Sequence, residues 1–337
     1  MLPIVLIFLG LSLLLYLLFG GADFGAGILE LFSKPLHRGR TGRITYSAIG
    51  PVWEANHIWL IIMIVILFNG FPELYTTLST YLFIPMVLLL IGIVIRGTAF
   101  AFRHYDAVKD GSQKYYAWMF MISSLLTPFF IGVIAGAMIL GRIDPNAPTY
   151  AGKFLDPWLN SFSMAMGLFT CSIFSFLAAV FLIGETSNMG FRGIFLRKAR
   201  NANIATIISG GLVFLSAWAN GLPLVWGMMG DPLSLGAIVL ATLSLPVLWY
   251  ALNKAWVMLP RLIAGFQIVM ILFAWLWTQY PVIIRTEGQG NLTLFNTAAP
   301  ESTIYVLGIA LLVAGALVIP ALLYLLIAFK WNKGLED

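Results

Sequence analysis

Three ionisable residues, Asp23, Glu54 and His57, stand in apolar sequence at spacings that suit proton chemistry. Asp23 lies in Gly20-Gly21-Ala22-Asp23-Phe24-Gly25-Ala26-Gly27, at the end of the first apolar run. Glu54 and His57 lie in Gly50-Pro51-Val52-Trp53-Glu54-Ala55-Asn56-His57-Ile58-Trp59, at the start of the next. An ionisable side chain at membrane depth costs roughly 2.5–3.5 kcal/mol on insertion scales, so such a residue ordinarily has a partner or a function. Glu54 and His57 are three apart and share a helical face, within reach of a mutual hydrogen bond. Carboxylates and a histidine at graded depth, with water between them, can relay protons. Trp53 and Asn56 flank the pair, and Arg96 is a candidate counter-charge near the end of the third apolar run. The same residues support a structural reading. There Asp23 or Glu54 pairs with Arg96 or His57 and pins helices together. From the residues alone both readings stay open.

The elements that must position these groups are membrane helices. The 337-residue chain is 60% hydrophobic and 10% charged, against about 25% charged in an average soluble domain. Its mean hydropathy is +0.93. The long apolar runs lack the period-two alternation of a transmembrane barrel. The fold class expected is therefore an all-α integral membrane protein. A span needs about 20 mainly apolar residues, and this length predicts about nine helices. They fall at 3–31, 49–69, 76–102, 117–140, 158–185, 202–222, 234–253, 260–281 and 303–329. The first run lacks a basic start and a small-x-small cleavage site, which predicts a retained helix. Residues 1–140 and 158–281 have similar helix lengths, so two four-helix bundles plus one peripheral helix, 303–329, are expected. Gly21/Gly25, Ala22/Ala26, Gly132/Gly136 and Ala310/Ala314 form small-residue faces that permit close helix approach.

The loops orient the chain. All but Arg142, Lys153 and Arg285 of the 19 Lys and Arg residues belong to one side, in 32–48, 103–116, 186–201, 254–259, the tail and adjoining helix ends. The positive-inside rule makes that side cytoplasmic, with the N-terminus outside and the C-terminus cytoplasmic. The net charge of +5 is thus a topology signal, and no nucleic-acid partner is expected. Asp231 and Glu301 fall at outer helix starts and read as caps. Glu185 reads as a surface residue.

Several activities are excluded by what the chain lacks. One cysteine, Cys171, gives neither a disulfide framework nor a thiolate metal site. There is no Walker loop, nucleophile elbow or zinc spacing. A bis-histidine haem needs two histidines at membrane depth on facing helices. Of His37, His57 and His104, only His57 is placed there. A haem function would need ligands from a partner.

Ala22-Asp23-Phe24-Gly25-Ala26-Gly27, followed by Ile49-Gly50-Pro51-Val52-Trp53-Glu54-Ala55-Asn56-His57-Ile58-Trp59-Leu60, resembles the opening of subunit II of cytochrome bd-type quinol oxidases. Arg96-Gly97 with Phe100 and Phe102-Arg103 is similar to that family's third helix. The resemblance implies a multi-pass protein of a bacterial or archaeal cell membrane. It implies a partner, subunit I, that carries haem b and haem d and the quinol-binding loop. The complex would oxidise quinol and reduce dioxygen to water, with protons from the cytoplasm. A small single-helix accessory subunit, membrane lipids and a structural quinone or lipid are further partners it leaves open. In the family, acidic positions matching Asp23 and Glu54 are discussed as part of a proton path. The family often has Asp-Gly-Asn-Glu or Asp-Gly-Asn-Gln where this chain has Glu54-Ala55-Asn56-His57. Glu54 keeps the carboxylate, whereas His57 changes the charge behaviour. The rival readings are a proton-coupled secondary transporter and a purely structural partner subunit. A transporter would place polar clusters near the midplane of both halves, and helices five to nine hold few such groups.

Overall fold

The computed structural model describes residues 1–50, 53–105, 111–186, 188–222, 224–288 and 290–332. The side chains of His104, Tyr105, Leu224, Val225, Leu323 and 325–332 are outside the description, so Pro51, Val52, Lys109 and Lys333, and the side chains of His104 and Lys330, lie beyond it. Among the described residues, nine helices are long and apolar enough to cross a membrane.

The first span is α1 (Leu2–Leu15), a π-helical turn over Tyr16–Gly20, and α2 (Gly21–Leu31). Next comes α3 (Pro35–Ile49), where a loop over 32–48 is expected. Pro35 in its first turn lacks only an N–H that no helix start could use, and the buried Thr41, Gly42 and Thr45 give the helix one inward face. Its basic composition hides it from an apolar-length rule. The second span is α4 (Trp53–Asn56) and α5 (Ile58–Gly70), interrupted at His57. A short helix, α6 (Pro72–Tyr81), precedes the third span, α7 (Phe83–Tyr105). The fourth is α8 (Ser112–Leu140), and a short α9 (Tyr150–Phe154) lies in the following loop.

The second half is α10 (Ser161–Leu182), α11 (Met189–Ala219), α12 (Leu224–Gly230), α13 (Pro232–Asn253) and α14 (Met258–Gln279). Capping fixes several starts. The Asn160 side chain accepts from the Ser163 N–H at 2.9 Å, and Asn188 accepts from the N–H groups of Gly190 and Phe191. Asn188 therefore starts α11 thirteen residues before the expected 202, because the basic stretch continues the helix outside its apolar part. Asp231 caps α13 through the Ser234 N–H at 2.8 Å, and that bond holds its carboxyl below the usual carboxylate range. Glu301 is in the first turn of α15 (Glu301–Asn332). Glu185 is half-buried and pairs with Arg261 at 3.1 Å, which corrects its reading as a surface residue.

One feature corrects the all-α expectation. β1 (Val282–Ile284) and β2 (Leu292–Thr293) form an antiparallel hairpin between α14 and α15. Ile284 and Ile143 tie the connecting segments into one apolar cluster with Val5, Phe71 and Trp158. Trp158 is buried, with its Nε1–H donating to the Phe154 carbonyl at 2.8 Å.

α10 is the hub. It packs against α2, α8, α11 and α14. Gly21 and Gly25 of α2 lie against Phe174 of α10, and Gly132 and Gly136 of α8 lie against the segment holding Ser163 and Met166. Two of the small-residue faces are therefore sites of close approach, whereas Ala310 and Ala314 are exposed. α15 rests on α1 and α5.

Candidate functional site: a buried polar file between the first three spans

Asp23 and Arg96 meet. Both are 1% exposed, and Arg96 Nη2 lies 2.6 Å from Asp23 Oδ1. The same nitrogen donates to the Asp23 carbonyl at 3.3 Å, and Nε donates to Ser124 Oγ at 3.1 Å. The guanidinium sits over the rings of Phe24 and Phe120, at 4.5 and 5.1 Å from their centroids. One cation is thus held by a carboxylate, a carbonyl, a hydroxyl and two ring faces, a combination that offsets its desolvation. Asp23 Oδ2 is buried and bonds to no protein group.

Two turns further on, the arrangement repeats. Arg103 makes a bidentate pair with Glu30, at 3.0 Å to Oε2 and 2.6 Å to Oε1. Glu30 is 1% exposed. Lys198 of α11 closes the end of the file by donating to the Leu29 carbonyl at 2.6 Å and to Ser33 Oγ. The Glu30–Arg103 pair is absent from the sequence reading, yet it was findable. Glu30 follows Asp23 by seven residues and Arg103 follows Arg96 by seven. Seven residues are two helical turns, so both acids share one face and both arginines share another. Two equal offsets on two helices that run the same way make two rungs of one ladder.

His57 sits at the interruption of the second span. Its N–H donates to the Glu54 carbonyl at 3.1 Å, and its own carbonyl accepts from Ile61 at 3.1 Å. The imidazole is enclosed by Tyr16, Phe24 and Trp53, with ring centroids 6.4, 5.9 and 6.4 Å away. Its Nδ1 is buried and bonds to no protein group. Trp53 also packs on Phe100 at 4.7 Å. Asn56 Nδ2 approaches the Phe19 carbonyl of the π-helical turn at 3.5 Å, the long limit of a hydrogen bond. Glu54 is exposed. The structure thus brings Asp23, Arg96 and His57 together with Trp53 beside them, and it sets Glu54 on the outer surface. His57 keeps right-handed helical geometry and its N–H bonds back to Glu54, so the two residues stay one turn apart, with Glu54 exposed and His57 half-buried.

Of the three histidines, the side chains of His37 and His57 are described. His37 is on α3 with its ring against Phe191 at 5.8 Å, and His57 is packed among aromatic rings. Among the described residues, no group of three or more His, Cys, Asp or Glu is placed to hold a metal ion.

Comparison with known proteins places this arrangement. The model of the family described as Cytochrome bd terminal oxidase subunit II matches residues 1–329. The Cytochrome bd ubiquinol oxidase subunit 2 of Bacillus subtilis (strain 168) is 32% identical over 150 residues, 44% of this chain and 43% of that protein. The Cytochrome bd-I ubiquinol oxidase subunit 2 of Escherichia coli (strain K12) is 26% identical over 205 residues, 59% of this chain and 52% of that protein. The matched stretches span about half the length of these curated relatives. A chain of the bd oxidase from Geobacillus thermodenitrificans has the same fold, with a TM-score of 0.79 at 20% identity over 98% of this chain and 99% of that one. A match over nearly the whole chain, on a fold of nine apolar helices, shows that the chain belongs to the cytochrome bd terminal oxidase subunit II family.

Proposed function

We propose that this chain is the haem-poor second subunit of a terminal quinol oxidase, working with a haem-bearing subunit I that oxidises quinol and reduces dioxygen to water. The family match over residues 1–329 carries the reading. The histidine placement agrees with it, since haem b and haem d would take their ligands from the partner. The basic ends of the spans face the cytoplasm in this reading, with the N-terminus outside. Residues 1–140 and 158–281 form two four-helix units, and 303–329 adds a peripheral helix. A bacterial cell membrane is the site of function. A cavity of about 510 Å³, lined by Gly132, Met166, Phe169, Asn203, Gln267 and Trp275 among others, suits a lipid chain or the tail of a structural quinone.

Expression with a tag on this chain tests the assignment. The complex recovered through the tag carries haem absorption and oxidises quinol, and the chain expressed alone carries neither. A single purified chain with the full haem spectrum and quinol oxidase activity overturns it.

Asp23, Glu54 and His57 are proposed to lie on a proton path from the cytoplasmic side. Unpartnered atoms on Asp23 and His57 support this, because each can exchange a hydrogen bond with water. Asp23→Asn also breaks a buried ion pair, so Glu54→Gln is the cleaner test. Glu54 is exposed and makes no such pair among the described residues, and Gln is nearly isosteric. Glu54→Gln lowers kcat by about a hundredfold, the lower end for a lost proton-transfer group, at unchanged haem content. Unchanged kcat in Glu54→Gln removes Glu54 from the path and favours a purely structural role.

A further inference from the structure

Three buried polar atoms without a protein partner belong to Asp23, which precedes Phe24, and to Tyr16 and His57, whose rings pack on Phe24. They are Tyr16 Oη, Asp23 Oδ2 and His57 Nδ1. Tyr16 and Asp23 are each about 1% exposed. The Tyr16 and His57 rings are 6.4 Å apart, and Phe24 packs on both, at 6.4 and 5.9 Å. The charges of Asp23 and Arg96 act on both Tyr16 and His57. Phe24, Trp59 and Phe174 wall the place with apolar surface.

The backbone is shaped for Tyr16. The π-helical turn Tyr16–Gly20 widens the helix there, and such turns are frequent at functional sites. The Tyr16 ring folds over Gly20, where a Cβ would come within 3.0 Å of it. Tyr16 lies seven residues before Asp23, with the π-helical turn between them, and its ring packs on Phe24 at 6.4 Å.

Leaving one buried polar atom unbonded costs about 1–3 kcal/mol, so three beside Phe24 demand a common occupant. The atoms themselves specify it. Tyr16 offers a donor, Asp23 Oδ2 an acceptor, and His57 Nδ1 either. A water molecule typically makes about three hydrogen bonds to buried polar groups, accepting from some and donating to others. No apolar ligand and no anion can satisfy this set. We propose that Tyr16, Asp23 and His57 enclose a buried water site in which Tyr16 is the positioning residue, its hydroxyl holding the water in line between Asp23 and His57. The site rests on the proton-path reading for its use but not for its existence. A proton passes by shifting along O–H···O and O–H···N bonds, with no net change in the water.

The test uses the assembled complex. A cryo-EM map that resolves ordered water elsewhere in the protein interior should show density within hydrogen-bond distance of Tyr16 Oη, Asp23 Oδ2 and His57 Nδ1. Tyr16→Phe keeps the ring on Gly20 and Phe24, and should lose that density. With haem content and the quinol KM unchanged, kcat should fall by up to about a hundredfold, the lower end for a lost proton-transfer group. His57→Gln, which keeps a polar atom, should retain more kcat than His57→Phe. No density at the three atoms in such a map overturns the proposal, and so does an unchanged kcat in Tyr16→Phe. A complex without quinol oxidase activity would instead defeat the assigned function, while the map would still decide the water site.

Discussion

Asp23→Leu lowers the yield of folded chain far more than Arg96→Leu, and the double variant recovers most of the loss. The two partners of the buried pair are not equivalent. Both are 1% exposed and 2.6 Å apart. Removing one partner of a buried ion pair costs roughly 3–5 kcal/mol, because the other charge is left uncompensated. A stranded aspartate can escape by taking up a proton. A stranded guanidinium cannot lose one in a protein, so Asp23→Leu leaves a fixed cation among Phe24, Phe120 and Ser124. The ring faces and the hydroxyl reduce that penalty but do not cancel the charge. Replacing both members by apolar residues of similar volume is often neutral or stabilising. The measurement is the fraction of membrane-extracted chain that runs monodisperse in detergent, with its thermal midpoint, for the three variants at one pH. Equal losses in the two single variants, or no recovery in the double, sink this account of the pair.

The sequence contained more of this site than composition and hydropathy extract. Nine apolar stretches were legible because a membrane span is a length requirement, and nine such helices are present among the described residues. The signature around Asp23 and Glu54 identified the family, which the match over 1–329 bears out. What escaped was structure that is not apolar. α3 and the first turns of α11 are basic helices beyond the hydrocarbon length, and a rule that counts apolar residues reads them as loops. The hairpin of β1 and β2 is too short to leave a period-two pattern. Glu30 and Arg103 sit near helix ends, where charge is unremarkable in sequence. Only their seven-residue offset from Asp23 and Arg96 marks them as a second rung. The position of Glu54 was not legible at all, because a three-residue spacing puts two side chains on one helical side without saying which of them is turned inward.

Gly25→Ala prevents the two halves of the chain from docking, and no side-chain truncation rescues it. A Cβ built on Gly25 lies 1.8 Å from the Phe174 carbonyl oxygen and 2.3 Å from its carbon. Both atoms belong to the backbone of α10, so no rotamer change can make room. Overpacking a core by one methyl group typically costs about 1–3 kcal/mol when side chains can yield, and here none can. Relief requires α2 to move away from α10. That movement also separates α2 from its contact with α8 and shifts Asp23 away from Arg96 on α7. Gly21 provides the contrast. There a Cβ meets Phe174 ring atoms at 2.8 Å, so Gly21→Ala should be rescued by Phe174→Leu while Gly25→Ala should not. Gly236 of α13 has no atom within 4 Å of the same construction. Gly236→Ala should be tolerated, and it gains up to about 1 kcal/mol of helix propensity. Assembly is read by size-exclusion chromatography of Gly25→Ala and Gly21→Ala, each with and without Phe174→Leu, and of Gly236→Ala. A monodisperse Gly25→Ala chain with an unchanged thermal midpoint would show that α2 and α10 do not approach this closely, and the depth assigned to Asp23 would fall with it.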